Sequence, residues 1–565
     1  MPRGGAWRCR ARLRLIVFAL AGGLLAAGCT GGVASRSRDL ETGRAGGPGS
    51  GGAAQRSGGT LTIALLAPRS LDPAYATRPE EQLLVANLFD GLTTIDPGGA
   101  VRPAVASSWS SDPLLRHWRF QLRSDARYAN AKPVRAEDFK AAWERLASPK
   151  TRPRPDSATS LLGLVDGYWE FAAGRAPAIT GIAAPDPTTL TVDLTDPFAD
   201  FPSVVSSPRL SPVPPDATAR PVGDGPFVLA GRFSSGHAFD LVRNRRYYGR
   251  TPYLDRVRVG VVPDQQTAWL AFQHGNVRFA PVPPDQVPTA RQIAGTSADG
   301  RSQPGLLQGP ETGAWSLGFN LAEEPASDPR WRQAVSLALD RQRIAAAFAG
   351  ATAPAVGIAP SGVPGAGQAI CQSCAYDPVK ARALLAGLRQ AGRVGQPGQL
   401  GQARRDPVVL VVPATPFDRR VATLVKAELG AVGVKVAVEE TDPASFPASL
   451  GRTGGSLFGS GWAAEYPRMD AFLAGQFSSG GPGNLTGFSD AGVDRLLAQA
   501  RLTVDDPART RIYQQAETAI LAHEPVVPVL EYRHTAVLAP GVEGFDLTPW
   551  GVVDLAAVSL ANHAK

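Results

Sequence analysis

Two rhythms of apolar residues alternate along this chain. Period-two or continuous apolar runs predict strands at LTIALL (Leu61–Leu66), TLTVDL (Thr189–Leu194) and RVRVGVV, with Val257, Val259 and Val261 facing inward. Helical spacing predicts a helix over RAEDFKAAWERLA, with Phe139, Trp143 and Leu146 on its buried face. Three further helices begin with one device. Asp328-Pro329, Asp377-Pro378 and Asp506-Pro507 each offer a capping carboxylate followed by a proline at the first helical position. Core stripes are expected to follow at Trp331, Val335 and Leu339; at Val379, Ala383 and Leu384; and at Ile512, Ala516 and Ile520. A βαβ unit is predicted from VVLVV (Val408–Val412), the helix PFDRRVATLVKAELGAVG and the strand VKVAVEE (Val434–Glu440). SLFGSGW (Ser456–Trp462) adds one more strand, and Glu465 follows its carboxyl end. Ligands of open α/β sheets bind in the crevice at that end.

The beginning of the chain has neither rhythm. Arg3, Arg8, Arg10, Arg12 and Arg14 precede an apolar run of eleven residues, Leu15–Leu25. Eleven residues are too few to span a bilayer, which takes roughly 20, and suit the apolar part of an export signal. LAAGC, ending at Cys29, resembles the bacterial lipobox, although Ala26 stands where leucine is usual. That implies cleavage before Cys29 and acylation of its thiol, a tether that does not cross the membrane. A plain secretory signal is the other reading. Residues 30–57 carry almost no apolar bulk and read as a flexible spacer of roughly 30 Å. The spacer's Gly47, Gly49 and Gly52 spell G-x-G-x-x-G, but without a strand before or a helix after it they carry no nucleotide-binding meaning.

Charge and cysteine content then narrow the classes. The net charge is +8, but five of those charges belong to the leader, so the basic balance makes no case for nucleic acid. Beyond Cys9 and Cys29, two cysteines remain, Cys371 and Cys374. Outside the cytosol such a C-x-x-C is a small disulfide loop, a pair of free thiols, or a redox or metal pair. No second C-x-x-C or paired histidines complete a zinc site, and the six histidines are scattered. Motifs for a nucleophile elbow, P-loop, zinc protease or EF-hand are absent, and no cofactor is implied. Glu465 and Asp470 are the one carboxylate pair a hydrolase reading could use.

Several segments, in order, resemble the family 5 extracellular solute-binding proteins of ABC importers, the oligopeptide and dipeptide receptors. They are GGTLTIAL with SLDPAYA, LFDGLTTIDPGGAVRPAVASSW, LRSDARYANAKPVRAEDFKAAWERL, GDGPFVL with RNRRYYGRTPYLDRVRV, LGFNLAEEPASDPRWRQAVSLALDRQRI, CAYDPVKARALL, and GFSDAGVDRLLAQA through EPVVPVLEYR. Ala131-Lys132 departs from the usual pattern. The resemblance implies an α/β fold, a two-lobed periplasmic-binding-protein-like clamp of type II with an inserted domain. Carried over, the leader is 1–28 and the tether 29–57. One lobe is 58–93, 210–312 and 534–565, the inserted domain 94–209, and the second lobe 313–533.

The family's GW-x-x-DY places an aspartate in the cleft as acceptor for a peptide ammonium. Glu465 stands at that position, one methylene longer. Trp462 and Tyr466 are candidate pocket walls. Phe319 and Asn320 are a candidate edge for peptide pairing, and Tyr75 a candidate contact from the first lobe. The implied protein is a monomeric, membrane-tethered receptor that hands short peptides or a related solute to the membrane subunits of an ABC permease. A second reading keeps the fold but makes the chain a regulatory or envelope-assembly lipoprotein that binds a glycolipid or signal peptide.

Overall fold

The computed structural model describes residues 57–156, 158–214, 222–294, 305–367, 371, 374–391, 407–453 and 455–561. The leader, Cys29 and the tether up to residue 56 lie outside them. One sheet of eleven strands organises the described chain. Its order from one edge is Val436–Thr441, Val408–Pro413, Leu457–Ala463, Gly305–Phe319, Val526–Leu538, Phe279–Pro281, Thr60–Leu66, Arg256–Val262, Phe239–Arg243 and Phe227–Ala230, with Thr352–Pro354 also on Val526–Leu538.

The two long strands hold this sheet together. Gly305–Phe319 and Val526–Leu538 run antiparallel, and each belongs to both halves. Gly305–Pro310 pairs with Arg533–Leu538 beside the first half, where Phe279–Pro281 joins the ladder. Ala314–Gly318 pairs with Val526–Glu531 beside the second, where Leu457–Ala463 joins. Between them the register jumps from Pro310–Arg533 to Ala314–Glu531. Three residues, Glu311, Thr312 and Gly313, therefore face Tyr532 alone.

Each half buries its own apolar side chains. Leu61, Ile63, Phe227, Leu241, Val257 and Val259 fill the first; Val261 is only partly buried. Trp315, Leu317, Trp331, Leu410, Val425 and Leu457 fill the second. A separate antiparallel sheet, Ala106–Ser111, His117–Leu122, Thr189–Asp193 and Ile182–Asp186, covers its own core with the helix Ala136–Ala147. Phe139, Trp143 and Leu146 point into that core.

The βαβ unit is present. Val408–Pro413 and Val436–Thr441 are parallel, joined by the helix Pro416–Ala431. Two caps form as the sequence predicts: Asp328 accepts from the Arg330 amide and Asp377 from the Lys380 amide. The third is displaced by one residue. Asp505, not Asp506, caps the helix Asp506–His523 by accepting from the Ala508 amide. The stripe expected at Val379, Ala383 and Leu384 is also wrong. Val379 is 69% exposed, Ala383 is exposed and Leu384 half-buried. The helix Pro378–Gln390 buries Ala381, Leu385 and Leu388 instead. Its sequence offers alanine or leucine at several phases, and packing against the helix Pro329–Ala338 selects this one. Cys371 and Cys374 form a disulfide with Cα atoms 5.3 Å apart. No helix among the described residues is long and apolar enough to cross a membrane.

Candidate functional site

The strand Leu457–Ala463 places the candidate site. It lies between Val408–Pro413 and Gly305–Phe319. Gly461 and Ala463 are exposed near its end. A Cβ on Gly461 would come within 2.6 Å of the Tyr532 hydroxyl, so only glycine lets that phenol lie against the strand. The last ladder pair is Gly313–Ala463. The Ala464 amide continues it by donating to the Thr312 carbonyl at 3.0 Å. Glu465 leaves the strand there.

Glu465 meets a cation from distant sequence. Arg209 Nη1 donates to Glu465 Oε1 at 2.6 Å, and Arg209 Nη2 donates to the Asp156 carbonyl at 2.7 Å. The Arg209 side chain is 1% exposed and that of Glu465 22%. Burial raises the Glu465 carboxyl above its ordinary range, against the pull of the Arg209 guanidinium and the Ser160 hydroxyl. Arg209 sits in the short turn Pro208–Leu210, which packs with the core of the antiparallel sheet.

Tyr466 follows Glu465 and turns inward. Its ring packs edge-on against Phe198, and its hydroxyl donates to Asp470 at 3.2 Å. Asp470 also accepts from the Tyr513 hydroxyl at 2.9 Å and from Arg501 at 2.8 and 3.1 Å. Those partners tie Asp470 to Arg501, Tyr466 and Tyr513. Further along, Arg468 reaches Ser203 at 2.9 Å and Asp200 at 3.3 Å, and Arg509 reaches Asp200 at 2.9 Å. This ionic seam fastens segment 465–470 and two helices, Ala491–Leu502 and Asp506–His523, to residues 198–209.

Trp462 reaches the helix Asp470–Phe477. Its indole N–H donates to the Ala471 carbonyl at 2.9 Å. Its ring lines a pocket of about 470 Å³, counting the solvent at its mouth, with Ser316, Phe458, Ser460, Phe472 and Gln476. Tyr75 lies in the short turn Pro73–Tyr75. Its hydroxyl donates to the Pro153 carbonyl at 2.8 Å, and its ring joins the core cluster that holds Tyr466.

Phe319 and Asn320 are not brought to this place. Phe319 pairs with Leu457, six residues from the Gly313–Ala463 end, which is roughly 20 Å along a strand. Its ring is fully buried against Trp331. Both edges of the strand are taken here, by Leu457–Ala463 and by Pro525–Val526. The expected added strand at Phe319 and Asn320 has no free hydrogen-bonding edge.

Sequence reading missed Arg209, Glu311 and Tyr532. Arg209 and Glu465 are 256 residues apart, and nothing local marks either as a partner of the other. Glu311 offered one hint, a carboxylate in GPETG ahead of an apolar run.

Comparison with known proteins gives a consistent picture. Residues 100–484 match the family model described as bacterial extracellular solute-binding proteins, family 5 Middle. The probable deoxycholate-binding periplasmic protein YgiS of Escherichia coli K12 is 27% identical over 498 residues, 85% of this chain and 89% of that protein. The periplasmic murein peptide-binding protein MppA of the same strain is 24% identical over 494 residues, with the same coverage. The solved unliganded open form of MppA superposes with a TM-score of 0.74 at 23% identity, covering 90% of this chain and 98% of that one.

Proposed function

The chain belongs to the bacterial extracellular solute-binding proteins of family 5, and from that premise we propose that it captures short peptides, or a related small solute, and delivers them to an ABC permease. The observation that carries the reading is the pair of long strands, Gly305–Phe319 and Val526–Leu538, which crosses between two separately packed halves. A ligand that touches both halves only when they approach stabilises the closed form, and a permease can read that form. In this reading the ligand lies over the exposed Gly461–Ala463 backbone, beside Glu465, Trp462 and Tyr75. One lobe is then 58–93, 210–312 and 534–565, the inserted domain 94–209, and the second lobe 313–533. Relatives named for peptides favour a peptide, and one named for deoxycholate keeps other solutes in view.

We further propose that lipid on Cys29 holds the protein to the outer face of the membrane. Cys29→Ser is expected to release it into the soluble fraction, and unchanged membrane association would reject the anchor. The solute reading is tested by native mass spectrometry of the purified protein, followed by acid release. A ladder of short peptides supports a peptide receptor. A single non-peptide mass keeps the receptor and removes the peptide. Persistent absence of any bound solute, with no binding from peptide pools, counts against the receptor.

A further inference from the structure

Carboxylates cluster around the middle of the crossing strands, and all but one have partners. Asp418 accepts from the Trp315 indole N–H at 2.8 Å and from the Thr415 hydroxyl at 2.5 Å. Glu531 accepts from the Ser361 amide at 2.9 Å and its hydroxyl at 2.7 Å. Glu465 holds Arg209. Glu311 is the exception. Among the described residues its carboxylate makes no hydrogen bond or ion pair, yet it is only partly exposed.

The backbone explains why it stands alone. Glu311 opens the three-residue bulge opposite Tyr532. A bulge interrupts the ladder and re-aims the side chains it carries, and bulges recur beside binding sites for that reason. Tyr532 is the residue it faces. The Tyr532 hydroxyl, too, makes no hydrogen bond among the described residues, and the Glu311 charge helps raise its pKa, after burial and Asp418. Gly313 and Gly461 both lie against the Tyr532 ring or hydroxyl, so no side chain from either strand covers this spot. The result is a carboxylate and a phenol, both without partners, at the junction of the two halves.

The geometry points to Glu311 as the anchor for a cationic nitrogen of the ligand, an ammonium or guanidinium, with the Tyr532 hydroxyl beside it. This rests on the solute-binding reading above. It places the charge contact at Glu311 and not at Glu465, whose carboxylate already holds an internal guanidinium. A charged hydrogen bond in a half-buried site is about twice as strong as a neutral one. A cation bound there would touch a strand shared by both halves.

The test uses three tripeptide probes of falling positive charge: Ala-Ala-Lys, Ala-Ala-norleucine and acetyl-Ala-Ala-norleucine. Calorimetry on the purified protein is expected to show at least a tenfold loss of affinity at one of the two steps. Glu311→Gln should reduce that step to about twofold or less, and Glu311→Ala should do the same. Three results overturn the assignment: equal binding of all three probes, a step that survives both Glu311 variants, or a step lost only in Glu465→Gln. Binding of no probe overturns it as well. In that case a neutral or anionic solute found by native mass spectrometry leaves the receptor standing. No solute of any kind removes both.

Discussion

Two buried groups of carboxylates solve the same problem differently. In the ionic seam, Asp470 has Arg501, Tyr466 and Tyr513, and Asp200 lies between Arg468 and Arg509. Elsewhere, Asp224 is fully buried, and no cation among the described residues hydrogen-bonds or ion-pairs with it. One of its oxygens accepts from the Asp90 amide at 3.1 Å, and the other has no partner among the described residues. The Tyr248 hydroxyl donates to Asp90. Burial pushes both carboxyls up, Asp90 to about 6, and the charge of Asp90 raises Asp224 further. Burying an ion is costly in either place. The seam offsets much of that cost with guanidinium groups, burial still raising Asp200 against the pull of Arg509 and Arg468, and the acid pair offsets it by keeping a proton. The seam can therefore hold two parts of the chain in fixed register, whereas the acid pair makes stability depend on pH.

The largest expected effect comes from breaking the seam. Arg501→Met keeps the aliphatic stem but strands Asp470 without its cation. We expect a loss of roughly 3–5 kcal/mol in urea unfolding at pH 7. Adding Asp470→Asn should restore much of it, because the buried charge is then gone. If the double variant is as unstable as the single one, packing and not charge holds the seam, and the contrast with the acid pair fails.

A smaller effect of opposite sign is expected at the acid pair. With raised folded-state values, the native chain binds more protons than the unfolded chain between the ordinary aspartate range, about 3.9, and about 6. Stability must then fall as pH rises through that window. Asp224→Asn removes the ionisation and should raise stability at pH 7, because burial and the Asp90 charge both disfavour the charged form. Near pH 4 the gain should vanish. Urea midpoints at the two pH values decide it, and a loss at pH 7 would show that the ionised form is the stabilised one.

The split between these regions also marks what the sequence could tell. Strands with unbroken apolar runs, such as Val408–Pro413 and Thr60–Leu66, were legible because burial on both faces writes itself into composition. The two crossing strands were not. Gly305–Phe319 begins as GLLQGPETG, and Val526–Leu538 carries Pro528 and is interrupted by Arg533, His534 and Thr535 before it closes on Ala536, Val537 and Leu538. Their polar halves follow neither rhythm, because a bulge and a change of neighbouring strands interrupt the alternation. The position of Glu465 beyond a strand end was visible, but its partner Arg209 was not. Charge pairs formed across 256 residues leave no periodic trace. The disulfide loop was legible as a spacing and the acid pair was not, since Asp90 and Asp224 meet only through the fold.

Between the two extremes lies Glu517, a carboxyl held by neither cations nor a second acid. It is fully buried in the helix Asp506–His523. One oxygen accepts from the Ile358 amide at 2.7 Å and the Ala359 amide at 3.0 Å, and the other has no partner among the described residues. Burial raises its pKa, and the two backbone N–H groups oppose the shift. Backbone donors are neutral dipoles, so they satisfy a carbonyl-type oxygen whether or not the group is charged. Glu517→Gln keeps that oxygen in place and changes only the far side of the carboxyl. The expected change at pH 7 is under about 1 kcal/mol, within the net worth of one hydrogen bond. Glu517→Ala strands both amides and should cost about 1–3 kcal/mol more. If Glu517→Gln instead costs as much as breaking the seam, the carboxyl is ionised in the native state. Backbone N–H groups would then have to be counted with guanidinium groups as counter-charges in this fold.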